Sequence, residues 1–127
     1  MTQNRPVNIN LLKIKLPLSA FLSITHRISG ILIFFIVLPV SVFIFSELTQ
    51  SQDSFNNFMI MYHKNLGIKF GCVGLILIFQ YHIFTGVRHI LMDFHILNES
   101  LSSSYKSAVI TLALFAVNAL LTLWVML

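Results

Sequence analysis

Residues 28–46 read ISGILIFFIVLPVSVFIFS, a run of 19 residues without Asp, Glu, Lys or Arg. An α-helix rises about 1.5 Å per residue and the hydrocarbon core of a bilayer is about 30 Å thick, so about 20 apolar residues span it. Two more uncharged runs, Phe70 to Val87 and Ser107 to Leu127, contain 18 and 21 residues. The sequence therefore predicts three transmembrane helices.

The composition of the whole chain is typical of a membrane protein. Of its 127 residues, 57% are hydrophobic and 9% are charged, and the mean hydropathy is +0.87. Soluble domains are about 25% charged, so the composition excludes a soluble domain. The basic residues are dispersed between apolar runs, which argues against nucleic acid as a partner. The single Cys72 excludes a disulfide framework, and no internal repeat is apparent.

We predict an all-α, integral membrane anchor with three helices, formed as a single domain over residues 1–127. An N-terminal surface segment covers 1–17, and the spans lie at about 18–47, 66–92 and 105–127 in contact with membrane lipid. Pro39 is expected to kink the first span. Basic residues near the ends of spans prefer the inside compartment. Six lie on the N-terminal segment and second connection, namely Arg5, Lys13, Lys15, Arg27, Arg88 and Lys106. Only Lys64 and Lys69 lie on the first connection, so the N-terminus is predicted inside and the C-terminus outside.

Polar residues within or beside the spans indicate function, because each costs free energy in lipid unless it faces protein, cofactor or water. Ser23 and Arg27 lie one turn apart on the first helix, with His26 beside them. His82, Gly86 and His89 share a face of the second helix. If both helices have their inner ends near Arg27 and Arg88, then His82 lies about 9 Å deeper than Arg88. On the same argument His26 and His89 lie near the membrane boundary.

Two interpretations of His82 follow from its type and depth. Its imidazole can hydrogen-bond a neighbouring helix, which contributes about 0.6 kcal/mol in membranes. Alternatively it can ligate haem iron between helices, with Gly86 leaving room for the macrocycle. His89 is about 10.5 Å away along the helix axis, too far to be the opposite ligand, and His26 would require a strongly tilted helix. A haem with two His ligands therefore needs a second chain.

The pair Ser23 and Arg27 also has two interpretations. A hydroxyl and a guanidinium one turn apart can both bind the carbonyl oxygens of a quinone, and Arg27 would stabilise its anionic one-electron reduced form. Alternatively Arg27 extends to lipid phosphate and Ser23 packs between helices. Arg88 is open to interpretation in the same way, as a solvated partner of Asp93 or as a contact for haem propionates.

Three stretches in this order carry a resemblance to a known family. They are Arg5-Pro6-Val7-Asn8, then Ser23-Ile24-Thr25-His26-Arg27-Ile28-Ser29-Gly30, and then His82-Ile83-Phe84-Thr85-Gly86-Val87-Arg88-His89 with Asp93 following. The chain resembles the cytochrome b subunits of succinate dehydrogenase from Arg5 to its end, although the third span matches only in character. Thr25 and His95 depart from the family pattern, which more often has an aliphatic and a small residue there.

The resemblance implies a non-catalytic membrane subunit of respiratory complex II, which transfers electrons from succinate to ubiquinone in the tricarboxylic acid cycle and respiratory chain. It makes His82 the axial ligand of haem b iron, with a second small membrane-anchor subunit supplying the other ligand. It places Ser23 and Arg27 in the ubiquinone site, and His26 and His89 near the haem propionates.

The resemblance also implies partners and a location. An iron-sulfur subunit is expected to dock near residues 13–16, and a flavoprotein subunit oxidises succinate. The membrane is the bacterial inner (cytoplasmic) membrane or the mitochondrial inner membrane. Two alternatives remain: a haem-free structural anchor of a succinate dehydrogenase or fumarate reductase complex, and a small proton or ion carrier using His82 and His89. The second is weakened because no acidic residue lies inside a span.

Overall fold

The computed structural model describes residues 16–98 and 100–127, and its regular elements are helices. The elements are α1 (Leu18–Leu32), a π-helical turn (Ile33–Val37), α2 (Leu38–Gln50), α3 (Gln52–Lys64), α4 (Leu66–Asp93) and α5 (Leu101–Met126). The predictions for Arg5, Lys13 and Lys15, including the docking segment at 13–16, fall largely outside the described residues.

Three helical stretches are long and apolar enough to cross a membrane. They are Leu18–Gln50 with 33 residues, Leu66–Asp93 with 28 and Leu101–Met126 with 26. The all-α, three-helix prediction is therefore confirmed. The last helix begins before position 105 because the hydroxyl of Ser100 caps it by accepting a hydrogen bond from the N–H of Ser103. Ser102, Ser103 and Ser104 therefore lie in the first turn of α5 and not in the loop between α4 and α5.

The first long helix is interrupted next to its internal proline. The N–H of Leu38 bonds to the carbonyl of Ile33, five residues earlier, which closes the π-helical turn. Pro39 has no N–H to donate, and its ring would clash with the carbonyl of Phe35 in a regular α-helix. The disturbance that Pro39 causes therefore takes the form of a wide turn immediately before it.

The C-terminus of α4 contains a residue in the left-handed backbone region. His95 has φ 54°, its N–H bonds to the carbonyl of Met92, and the N–H of Ile96 bonds to that of Leu91. This pattern of two bonds closes many helices, usually with glycine at the left-handed position, although His is tolerated better than most residues. His95 therefore occupies a backbone position that favours glycine.

The helices bury small and polar residues and expose large apolar ones. The buried side chains among the described residues are those of Leu22, Ser29, Val37, Val73, Thr85, Arg88, Ser104, Ala108 and Thr111. Phe34, Phe35 and Trp124 are 66%, 69% and 87% exposed. This distribution suits lipid, where close packing of small residues and hydrogen bonds between helices drive association. The outer surface is therefore available to lipid or to other subunits.

Arg88 joins α4 to α5. It is 3% exposed, its Nε donates to the hydroxyl of Ser107 at 3.1 Å, and its Nη2 donates to the carbonyl and hydroxyl of Ser104 at 3.1 and 3.0 Å. The interpretation of Arg88 as a solvated partner of Asp93 is therefore wrong. Its hydrogen bonds are used to hold α5, which gives no support to a propionate contact.

Replacing Arg88 with Ala should weaken the packing of α5 on α4. Loss of these buried hydrogen bonds is expected to lower the free energy of unfolding by about 1–3 kcal/mol. Thermal unfolding of the purified protein in detergent measures this as a lower midpoint. Lys106→Ala removes an exposed cation from α5 and is the control. Equal midpoints for the two variants would contradict the role of Arg88.

Candidate functional site

Three histidines meet between α1 and α4. The rings of His26 and His82 are stacked, with centroids 4.1 Å apart and planes 12° apart. The ring of His89 lies 5.1 Å from that of His26 at an angle of 44°. All three side chains are half-buried. The structure therefore brings together the three histidines that the sequence singled out on two separate helices.

The predicted depth of His26 is wrong. The sequence argument placed His26 about 9 Å nearer the membrane surface than His82, yet the two rings are in contact. That argument assumed that Arg27 and Arg88 lie at the same depth in the membrane. Arg88 is instead buried against α5, and Arg27, adjacent to His26, lies opposite the stretch between His82 and Gly86. The antiparallel helices are therefore offset by about one turn from the predicted register.

Two hydroxyl groups hold the stacked rings by crossed hydrogen bonds. The Oγ of Ser29 donates to the carbonyl of His26 at 2.6 Å and lies 2.9 Å from Nδ1 of His82. The Oγ1 of Thr85 donates to the carbonyl of Tyr81 at 2.8 Å and lies 2.8 Å from Nδ1 of His26. A hydroxyl has only one proton, so each oxygen accepts from the ring that it faces. In their neutral form, both imidazoles then carry the proton on Nδ1, which leaves the lone pair on Nε2.

Two glycines make room for the stacked rings. A Cβ at Gly30 would lie 3.2 Å from Cε1 of His82, and a Cβ at Gly86 would lie 3.1 Å from Cε1 of His26. Both distances are tighter than ordinary contacts of a side-chain carbon. Gly86 thus leaves room for the ring of His26 in this structure, and its role beside a macrocycle stays a prediction.

The two helices carry the same five-residue pattern, which the sequence analysis missed. His26-Arg27-Ile28-Ser29-Gly30 and His82-Ile83-Phe84-Thr85-Gly86 both have His, two residues, a hydroxyl residue and Gly. Because the helices are antiparallel, each histidine meets the hydroxyl and glycine of the other helix. This crossed arrangement has a local twofold character. The spacing was visible in the sequence, but it repeats over too few residues to appear as a repeat.

The predicted quinone residues lie on α1 near this cluster. Ser23 is half-buried and Arg27 is exposed. Neither side chain makes a hydrogen bond to another residue in the described part of the chain. The structure therefore leaves both polar groups available to a ligand or to a second subunit.

Thr25 extends the polar network toward α5. Its hydroxyl shares a hydrogen bond with that of Tyr81 on α4. The Tyr81 ring packs edge-on against Phe115 of α5, with centroids 5.2 Å apart. Thr25 therefore adds a hydrogen bond between α1 and α4 next to the histidines.

The donor set fits one iron ligand from this chain. Within residues 16–98 and 100–127, no group of three or more His, Cys, Asp or Glu side chains could hold a metal ion. Two imidazoles on opposite sides of one iron point their nitrogens at each other about 4 Å apart. His26 and His82 instead lie face to face. Iron bound through His82 would therefore need its other ligands from a macrocycle and a second chain.

The fold and the site together define a three-helix membrane subunit with a histidine cluster between two of its spans. Comparison with known proteins gives its family. The chain belongs to the succinate dehydrogenase/fumarate reductase transmembrane subunit family, whose model matches residues 1–123. The family expected from the three sequence motifs is thus confirmed.

Relatives in bacteria and red algae agree with this assignment. The chain is 36% identical to the succinate dehydrogenase cytochrome b556 subunit of Coxiella burnetii over 93 residues, 73% of this chain and 74% of the relative. It is 34% identical to the cytochrome b560 subunit of Porphyra purpurea over 112 residues, 87% and 88% of the two chains. It is 33% identical to that of Chondrus crispus over 100 residues, 72% of each.

A methyl group at Gly86 should disturb the histidine cluster. Gly86→Ala forces the His26 ring to move, and overpacking of this kind costs about 1–3 kcal/mol of stability. The midpoint of thermal unfolding in detergent should fall. Gly74→Ala on the same helix is the control, because a Cβ there meets nothing within 4 Å and alanine favours a helix. A variant at Gly86 as stable as the one at Gly74 would show that the cluster is not tightly packed.

Proposed function

We propose that this chain is the cytochrome b membrane anchor of a succinate dehydrogenase, which binds haem b from one side and forms part of the ubiquinone-reduction site. The observation that carries the proposal is the hydrogen bonding of the two ring nitrogens of His82. Its Nδ1 is hydrogen-bonded to Ser29, and its Nε2 has no hydrogen-bond partner among the described residues. An imidazole held in this way is a ready iron ligand. The relatives named as cytochrome b subunits support the same cofactor.

In this proposal haem b would supply one-electron redox chemistry when it is bound, and His82 of this chain would hold its iron. A second small membrane-anchor subunit supplies the other axial ligand, since His26 stacks on His82 and cannot face it across iron. His26 and His89 form the neighbouring polar surface, which is proposed to lie near the haem propionates. The large apolar side chains left exposed by the three helices provide surface for the second anchor and for lipid.

Ser23 and Arg27 are proposed to bind the ubiquinone head group. The Ser23 hydroxyl can donate to a carbonyl oxygen, and the exposed guanidinium of Arg27 can donate from several N–H groups. A fixed positive charge favours the anionic one-electron reduced form over the neutral quinone, so Arg27 eases the first electron transfer. Electrons reach this site from succinate through the flavoprotein and iron-sulfur subunits. The iron-sulfur subunit is proposed to dock near residues 13–16, which precede Ser23 in the chain.

The proposed orientation has the N-terminus inside a bacterial or mitochondrial inner membrane. Because Arg88 is buried in the folded bundle, the basic residues exposed to solvent or headgroups deserve a separate count. Leaving Arg88 out of the six inner residues gives five, against two on the first connection. The positive-inside preference therefore points the same way. It also puts Ser23 and Arg27 on the side where the soluble subunits bind.

Removal of the ligand tests the haem assignment. His82→Ala should abolish or shift the haem b absorbance in a reduced-minus-oxidised spectrum of the purified complex, because Nε2 is lost. His63→Ala removes an exposed histidine of α3 and should leave the spectrum unchanged. A normal spectrum after His82→Ala would remove the ligand assignment. A wild-type complex without haem absorbance would leave the chain as a haem-free anchor.

Removal of the polar pair on α1 tests the quinone assignment. Arg27→Ala should slow succinate-dependent ubiquinone reduction about 10- to 100-fold, the value of a charge-assisted hydrogen bond, and Ser23→Ala about fivefold. Succinate oxidation with a water-soluble electron acceptor should be unchanged, and so should the haem spectrum. Lys106→Ala, which removes an exposed cation from α5, is the control. An equal loss with the soluble acceptor would assign Arg27 to assembly of the complex.

A further inference from the structure

We infer that Ser29 is a positioning residue that fixes the tautomer of His82 and lowers the reduction potential of the haem bound there. The inference rests on the proposed function, because it requires His82 to be an iron ligand. It adds a residue that does not itself contact the iron. It is argued from two distances, those from the Ser29 hydroxyl oxygen to the carbonyl oxygen of His26 and to Nδ1 of His82.

The Ser29 proton lies between two oxygens. Ser29 is 4% exposed, and its Oγ is 2.6 Å from the carbonyl oxygen of His26. Two oxygens at this distance are held by an O–H···O hydrogen bond, since two bare lone pairs would repel each other. The Ser29 hydroxyl therefore donates its proton to the carbonyl oxygen of His26. Only a lone pair remains for Nδ1 of His82, at 2.9 Å.

The direction of this hydrogen bond determines which ring nitrogen of His82 has a lone pair for iron. Because Ser29 can only accept, Nδ1 of His82 carries the proton and Nε2 carries the lone pair that a metal needs. A hydrogen bond donated from Nδ1–H also makes an imidazole a stronger electron donor toward its metal. Stronger donation stabilises the oxidised iron more than the reduced iron. Loss of the Ser29 hydroxyl is therefore expected to raise the reduction potential.

The crossed arrangement of the two helices supplies a matched control. Thr85 is 1% exposed and accepts from Nδ1 of His26 at 2.8 Å, in the same way as Ser29 accepts from His82. Its proton is also used on a backbone carbonyl. The two hydroxyls thus differ in which histidine they hold, and only His82 is proposed to bind iron.

The test is a potentiometric titration of haem b in the purified complex, followed by absorbance. Ser29→Ala should retain haem and raise its midpoint potential, so that the ferrous-to-ferric ratio at a fixed applied potential increases about fivefold, the value of one hydrogen bond. Ser29→Thr keeps a hydroxyl at this position and should return the midpoint toward that of the wild type. Thr85→Val removes the other hydroxyl with little change of volume and should shift the midpoint much less than Ser29→Ala does.

The other outcomes distinguish the role of Ser29 from general loosening of the site and from a different iron ligand. An unchanged midpoint in Ser29→Ala overturns the role of Ser29 and leaves the haem site intact. Equal shifts in Ser29→Ala and Thr85→Val overturn it too, because they indicate general loosening. A shift in Thr85→Val alone assigns the iron to His26, and the ligand proposal fails with it. If Ser29→Ala loses haem, recovery in Ser29→Thr supports the inference and continued loss overturns it.

Discussion

The arrangement of α1 and α4 depends on the fact that a hydroxyl group has one proton. Ser29 and Thr85 each give that proton to a backbone carbonyl of their own helix. Each then accepts from a histidine of the other helix, so two hydrogen bonds cross between the same two turns. A slip of either helix by one residue would break both bonds and drive the rings against Cβ atoms instead of Gly30 and Gly86. These two crossed hydrogen bonds therefore determine the register of the helices, the orientation of the rings and the free Nε2 of His82.

A bundle in lipid cannot gain stability by hiding apolar side chains from water, so its interior follows other rules. Here the buried residues are mostly small or polar, and the large apolar side chains point outward. No buried side-chain nitrogen or oxygen in the described part of the chain lacks a hydrogen-bond partner. Away from the histidines, Gln80 and Thr122 bond to each other between α4 and α5. Polar pairs of this kind specify which helix faces meet, and the apolar exterior remains open to lipid and subunits.

The sequence predicted the parts of this structure that lipid imposes. Uncharged runs of about 20 residues have one stable form in a bilayer, a helix, so three spans followed from length alone. The relative depth of His26 and His82 in the membrane could not be predicted in this way. The charge of Arg88 suggested that it lies at the water boundary, whereas its guanidinium donates to Ser104 and Ser107 inside the bundle. Those acceptors lie on a third helix, which a pattern on one helix cannot reveal. The crossed bonds of Ser29 and Thr85 were hidden for the same reason, since they are a property of two helices.

The hydrogen bonds of Arg88 have a consequence for the order in which the chain is built. Its acceptors, Ser104 and Ser107, lie 16 and 19 positions later in the sequence. Before α5 has packed against α4 these serines are not in place, so the guanidinium has no acceptor within the bundle and stays hydrated. Once α5 follows, the same charge is withdrawn from water and becomes internal. The burial of this charge in the bundle therefore depends on the arrival of the last helix.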